Sequence, residues 1–130
     1  MSTSFDRDLS ISVSRPAGGS CLVSLSGDLD INSAAEFSAR VDAVTAAAAV
    51  HVIVELSGVQ FVDSSGLNSL VVAARETEHR GASFVVAAPA HYVARVFELV
   101  RIGESIAVVG SVDEALAMHA AVNAEAGSQS

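Results

Sequence analysis

The sequence predicts a single α/β domain built on a mixed, mostly parallel β-sheet of about five strands with about four helices. Short apolar runs alternate with stretches of helical period, in the order β-β-α-β-α-β-α-β-α, and strands alternating with helices make a largely parallel sheet. The length, 130 residues, is that of one domain, and a hydrophobic content of 51% excludes disorder across the chain. Aromatic residues are only 5%, so the core must rest on Val, Leu, Ile and Ala.

Each element has its own signal. Leu9, Ile11 and Val13 alternate with Ser10, Ser12 and Ser14, the period of a half-buried strand. Residues 16–20 carry turn chemistry, and residues 21–26 read as a second strand. So short a link favours an antiparallel hairpin. Gly27, Asp28, Leu29 and Asp30 read as a loop, and Asn32 or Ser33 can cap the helix that follows. Ala34, Phe37, Val41, Val44 and Ala48 form one apolar stripe at helical spacing. Residues 50–56 are nearly all apolar, as in a central strand covered on both faces. Ser57 and Gly58 interrupt that run, and residues 59–62 lead into Asp63, Ser64, Ser65, Gly66 and Leu67. A second helix over 64–80 turns Leu67, Leu70, Val71 and Ala74 inward and stops at Gly81. Residues 84–87 are a fourth strand. Pro89 opens a third helix carrying Val93, Val96, Phe97 and Val100. Residues 106–109 are the last strand, and Ser111 to Glu114 open a closing helix with a capping pattern. The domain is expected over residues 9–122, between a flexible arm (1–8) and a small polar tail (123–130) expected to be disordered.

The net charge is −8, and all seven basic residues are arginines. An acidic surface repels nucleic acid and anionic lipid, so neither is an expected partner. No apolar run approaches the ~20 residues of a membrane span, and the first residues lack a signal peptide's basic and apolar regions. A cytoplasmic monomer is expected. The lone Cys21 has no partner for an internal disulfide or a Cys-based metal site, and reads as a small buried hydrophobe. No P-loop and no histidine pair at metal-ligand spacing is present, so no cofactor or metal is expected.

In sheets of this kind, functional loops gather where strands hand over to helices. Two such loops carry unusual chemistry: Gly27 to Asp30, and Asp63 to Leu67. Ser or Asp at a helix start satisfies an orphan N–H, worth about 1 kcal/mol, and capping alone would explain one of them. One cap needs one residue, however, and this loop offers three, with Gly66 behind them lowering steric cover. Ser65 is then an exposed acceptor. Physics alone leaves Ser64 and Ser65 as alternatives.

The segment Asp63-Ser64-Ser65-Gly66-Leu67, after an apolar strand ending in Phe61 and Val62, resembles the phosphorylation loop of the STAS-domain anti-sigma factor antagonists. Other parts align in order: Gly27 to Asp30 with Ser33 and Ala34, Arg95 to Leu99 with Ile102 and Gly103, and Ser111 to Leu116. The resemblance covers residues 9–122. It implies a STAS-like fold. It makes Ser65 the residue phosphorylated by a partner serine kinase that is itself the anti-sigma factor. The unphosphorylated antagonist would bind that kinase and free a sigma factor, and a serine phosphatase would reset the switch. By the same resemblance Asp28, Asp30, Ser33, Asp63, Ser64, Gly66, Leu67 and Asn68 form the partner-facing surface. Ser33 stands where the family often has threonine, and Asn68 where it often has glycine.

A phosphate on Ser65 adds nearly two negative charges. The helix N-terminus favours them by only about 0.3–2 kcal/mol. Like charges ~6 Å apart at an effective dielectric of ~20 repel by about 3 kcal/mol per unit pair, and Asp63 and Asp30 are the candidates. Arg75, the nearest downstream cation, is about 15 Å along the helix, too far to clamp the phosphate. The fold is therefore expected to persist while the interface fails.

An enzyme is the rival reading. It lacks a Gly-x-Ser-x-Gly elbow, and of His51, His79, His91 and His119 only His91 begins an element near the right end of the sheet. Asp28 and Asp30 could do acid–base work, but they read better as a solvated loop or a partner surface. A further rival keeps the fold as a regulatory module of another signalling or transport assembly.

Overall fold

The computed structural model describes residues 8–16, 18–47 and 51–119. The expectations for the rest of the arm, for Ala48 and Val50, and for the 123–130 tail fall outside the described residues. Five strands lie side by side in chain order: β1 (Ser10–Ser14), β2 (Ser20–Leu29), β3 (His51–Val62), β4 (Ser83–Ala87) and β5 (Ala107–Val109). β1 pairs antiparallel with β2, as the short turn requires, and the other three pairings are parallel. The helices are α1 (Ala34–Ala46), α2 (Ser64–His79), α3 (His91–Val100) and α4, over residues 112–119.

Each parallel step moves to the next neighbour, so right-handed crossovers put α1, α2 and α3 on one face of the sheet. The apolar contacts follow. Val52, Val54 and Leu56 of β3 share a core with Phe37, Leu70 and Phe97. The intervening Ile53 packs on the other face with Val85, Ala87 and Ala115 of α4. This double cover is the reason that β3 reads as an unbroken apolar run. Gly81, at φ +85°, takes the left-handed position after α2, and the Ala82 N–H closes the turn on Thr77 O at 3.1 Å.

Two expected breaks are absent. β2 continues through Gly27 and Asp28 to Leu29, and β3 runs on through Ser57 and Gly58. Register shifts at Ser24/Ser26 and Gly27/Asp28 absorb the mismatch. The backbone groups of interior strands need partners, and a bulge keeps most of them paired where a loop would not. Val13 and Val100, expected inside, are 37% and 51% exposed. β1 is an edge strand, and Val100 ends α3 beside the left-handed Arg101.

At the N-terminal ends of the strands, His51 and Ser83 are register partners. Ser83 Oγ lies 2.8 Å from His51 Nδ1 and 3.2 Å from His119 Nε2. The two rings stack with centroids 4.0 Å apart, and both histidines are buried. This trio fastens α4 to the sheet. Burial, with a smaller repulsion from His51, lowers His119 from 6.5 to about 4. The unfolded chain therefore takes up this proton first. The stabilisation is complete above pH 6.5 and drains as the pH falls toward about 4. Urea unfolding across that range is expected to show a slope up to about 1.4 kcal/mol per pH unit steeper for the wild type than for His119→Phe. Parallel pH profiles for the two proteins would remove the trio from the account.

Candidate functional site

β2 and β3 are parallel neighbours, and their last residues, Leu29 and Val62, are register partners. The chain segments that follow them therefore emerge side by side. After β2, the Asp30 carbonyl accepts the Ser33 and Ala34 N–H groups at 3.1 and 2.9 Å and starts α1. Asp30 Oδ1 accepts the Asn32 N–H at 2.9 Å, a short Asx turn. The Ser33 hydroxyl does not cap α1. It accepts the Asp30 N–H at 3.0 Å and donates to Asp28 O at 2.9 Å, knitting the turn from inside.

After β3, Asp63 does two jobs. Its Oδ1 caps α2 by accepting the Gly66 N–H at 2.9 Å. Its Oδ2 accepts the Ile31 N–H from the other loop at 3.3 Å. One carboxylate thus holds a helix start and ties the two loops together. Gly66 is buried beneath this contact, where a Cβ would collide with the carbonyl oxygen of Leu29. The glycine admits the fold's own backbone, not an outside molecule.

The residues expected at a partner surface divide by exposure. Ser64 and Asn68 are exposed, while Asp30, Asp63, Ser65 and Leu67 are half-buried. Asp28, Ser33 and Gly66 are buried, so they shape the loops from within and do not present their side chains. Ser65 is not the open acceptor expected of it; Ser64 is the more exposed hydroxyl. Ser65 instead lines a groove of about 380 Å³ between α1 and α2, together with Ile31, Ala34, Ala35, Asn68 and Val72. Beside it lies an acidic depression edged by Asp8, Asp30 and Glu36. Ile31, 72% exposed, is the site residue that sequence reasoning missed. Its one signal is an aliphatic residue set between Asp30 and Asn32 in a polar turn.

Among the described residues no histidine hydrogen-bonds to Ser64 or Ser65. The buried histidines sit at the opposite end of β3, a 12-residue strand roughly 40 Å long. No described group of three or more His, Cys, Asp or Glu is placed to hold a metal ion. No described helix is long and apolar enough to cross a membrane.

A family profile described as Mlab, STAS domain matches residues 13–112. Among solved structures, the chain is similar to an anti-sigma factor antagonist from Mycobacterium paratuberculosis, with 25% identity and a TM-score of 0.76 over 86% of this chain and 94% of that one. It shares its fold with the phosphorylated form of the Bacillus cell fate determinant SpoIIAA, at 19% identity and a TM-score of 0.64 over 84% of this chain and 98% of that one. It also shares its fold with part of the murine Solute Carrier 26 family member A9 anion transporter, at 21% identity and a TM-score of 0.71, over 83% of this chain but 19% of that one.

Two substitutions test the geometry. Asp63→Asn keeps a good cap, but its amide has one acceptor oxygen for two N–H donors. It is expected to leave stability within about 1 kcal/mol while speeding hydrogen exchange at the Ile31 amide by NMR. Unchanged exchange there would mean that the carboxylate does not join the loops. Gly66→Ala is expected to cost about 1–3 kcal/mol in urea unfolding, because β2 and α2 must move apart.

Proposed function

Because the chain belongs to the STAS-domain family, we propose that it is an anti-sigma factor antagonist switched by phosphorylation of Ser65. Unphosphorylated, it binds an anti-sigma factor serine kinase and so releases a sigma factor. Phosphorylated, it lets go, and a serine phosphatase restores it. It acts as a cytoplasmic monomer by binding, not by catalysis.

The observation that carries this reading is the setting of Ser65. Half-buried in the first turn of α2, it lines a surface groove beside a loop pair already tied by Asp63. The likeness to an anti-sigma factor antagonist at 25% identity supports the same role. A phosphate there would meet the half-buried Asp63, which already occupies the Gly66 amide. The added charge can find little new stabilisation inside the fold and stays in the groove. A partner closing over it must strip water from it, at roughly 2–4 kcal/mol, or about 30- to 1000-fold in affinity. The likeness to part of an anion transporter supports a second reading, a regulatory module of a larger assembly. A serine so placed favours the first.

The test is to incubate the purified protein with ATP and the anti-sigma kinases of its own source, and to locate phosphate by tandem mass spectrometry. Phosphate on Ser65 is expected, absent from Ser65→Ala, retained in Ser64→Ala, and accompanied by weaker kinase binding. A protein that stays unmodified and unbound, with kinases shown active on their own antagonists, would sink the proposal.

A further inference from the structure

Among the described residues, Ile31 combines high exposure with a held backbone at the edge of the candidate site. It is 72% exposed, yet its backbone is pinned. Its N–H is held by Asp63 Oδ2 at 3.3 Å, and the turn around it is fixed by the Asp30 carboxylate and carbonyl. An isolated exposed aliphatic residue needs no explanation. Ile31 is not isolated, since it lines the groove that contains Ser65, with Ala34, Ala35 and Val72 as the other apolar residues and Ser38, Asn68 and Ser69 as polar ones. The comparable exposed residue Leu99, 82% exposed, sits near the C-terminal end of α3, where nothing in the structure indicates what covers it.

From this we infer that Ile31 is the apolar anchor of the Ser65 face in binding the anti-sigma factor kinase. The inference rests on the kinase-binding reading above and adds the chemistry of the partner. The kinase must offer a nonpolar socket for one branched aliphatic side chain. Asp30 and Asp63 flank Ile31, Glu36 edges the neighbouring depression, and the net charge is −8, so the socket's rim must be basic. The held backbone loses little freedom on binding, and a β-branched side chain has few χ1 states to give up, as suits an interface hot spot. The placement also supplies the means of switching. Ile31 and Ser65 line the same groove, so a socket that closes on Ile31 must bury whatever Ser65 carries. A hydroxyl tolerates this, and a phosphate dianion does not. Ile31 therefore contributes to binding only while Ser65 is unmodified.

The experiment uses the kinase that phosphorylates Ser65, loaded with ADP, and calorimetric titration of four proteins: wild type, Ile31→Ala, Ile31→Val and Leu99→Ala. Circular dichroism verifies that each is folded, which is expected because both sites are on the surface. Ile31→Ala is expected to weaken binding by about 10- to 100-fold. Ile31→Val should restore most of the affinity, and Leu99→Ala should match the wild type. With Ser65 phosphorylated beforehand, wild type and Ile31→Ala should bind equally weakly. In phosphotransfer assays the loss should fall on KM and leave kcat in place. Wild-type affinity in Ile31→Ala overturns the inference and leaves the antagonist reading standing, as does an equal loss in Leu99→Ala. A wild-type protein that binds no kinase overturns both.

Discussion

The parallel pairing of β2 with β3 is the constraint on which the rest of the molecule depends. Both strands lie inside the sheet, so their backbone donors and acceptors must be met along their whole length. Pairing therefore continues past the points where Gly27 and Gly58 weaken the local preference for a strand, at the expense of two register shifts. The result is that Leu29 and Val62 end level. Two loops more than thirty positions apart in sequence then leave the sheet within hydrogen-bond reach of one another, as the Ile31–Asp63 contact shows. Gly66 lets α2 settle directly on the Leu29 carbonyl, which a larger residue would prevent.

The two ends of the sheet do different work. At the C-terminal ends of the strands, Ile31 and the half-buried Ser65 line an open groove, and Asp30 edges an acidic depression. At the N-terminal ends, His51, Ser83 and His119 form a buried polar contact that binds α4 to the face opposite the other helices. Length separates them, so the groove can be occupied or charged without disturbing the packing of α4. Apolar contacts on both faces of β3 hold the frame between them.

This arrangement suits a site that signals through an interface. The loops satisfy one another: Asp63 caps α2 and holds Ile31, while Ser33 and Asp30 close the turn before α1. New charge in the groove therefore stands near the half-buried Asp63, which already holds the Gly66 N–H. Its effect falls on whatever approaches from outside, where desolvation of a charge is costly and the apolar neighbours give nothing in return.

Much of this was legible in the sequence. Apolar runs, helical spacing and capping residues marked the five strands, the four helices and the central place of β3, and the burial of Cys21 followed from its residue type, because apolar patterning reports which faces of an element are covered. The serine loop at the start of α2 was legible for a similar reason, since a helix start needs caps and displays them as short polar residues. What the sequence could not decide was which of those residues face outward. Asp28, Ser33 and Gly66 look like surface residues by type, but they are inside, because Asp28 continues an interior strand, Ser33 closes the turn from within and Gly66 packs on the Leu29 carbonyl of the neighbouring strand. Ile31 looks like a core residue by type but stands in solvent. Residue type predicts burial only where a residue's neighbours are local in sequence. At this site they are not, so only the tertiary pairing of β2 with β3 settled the matter.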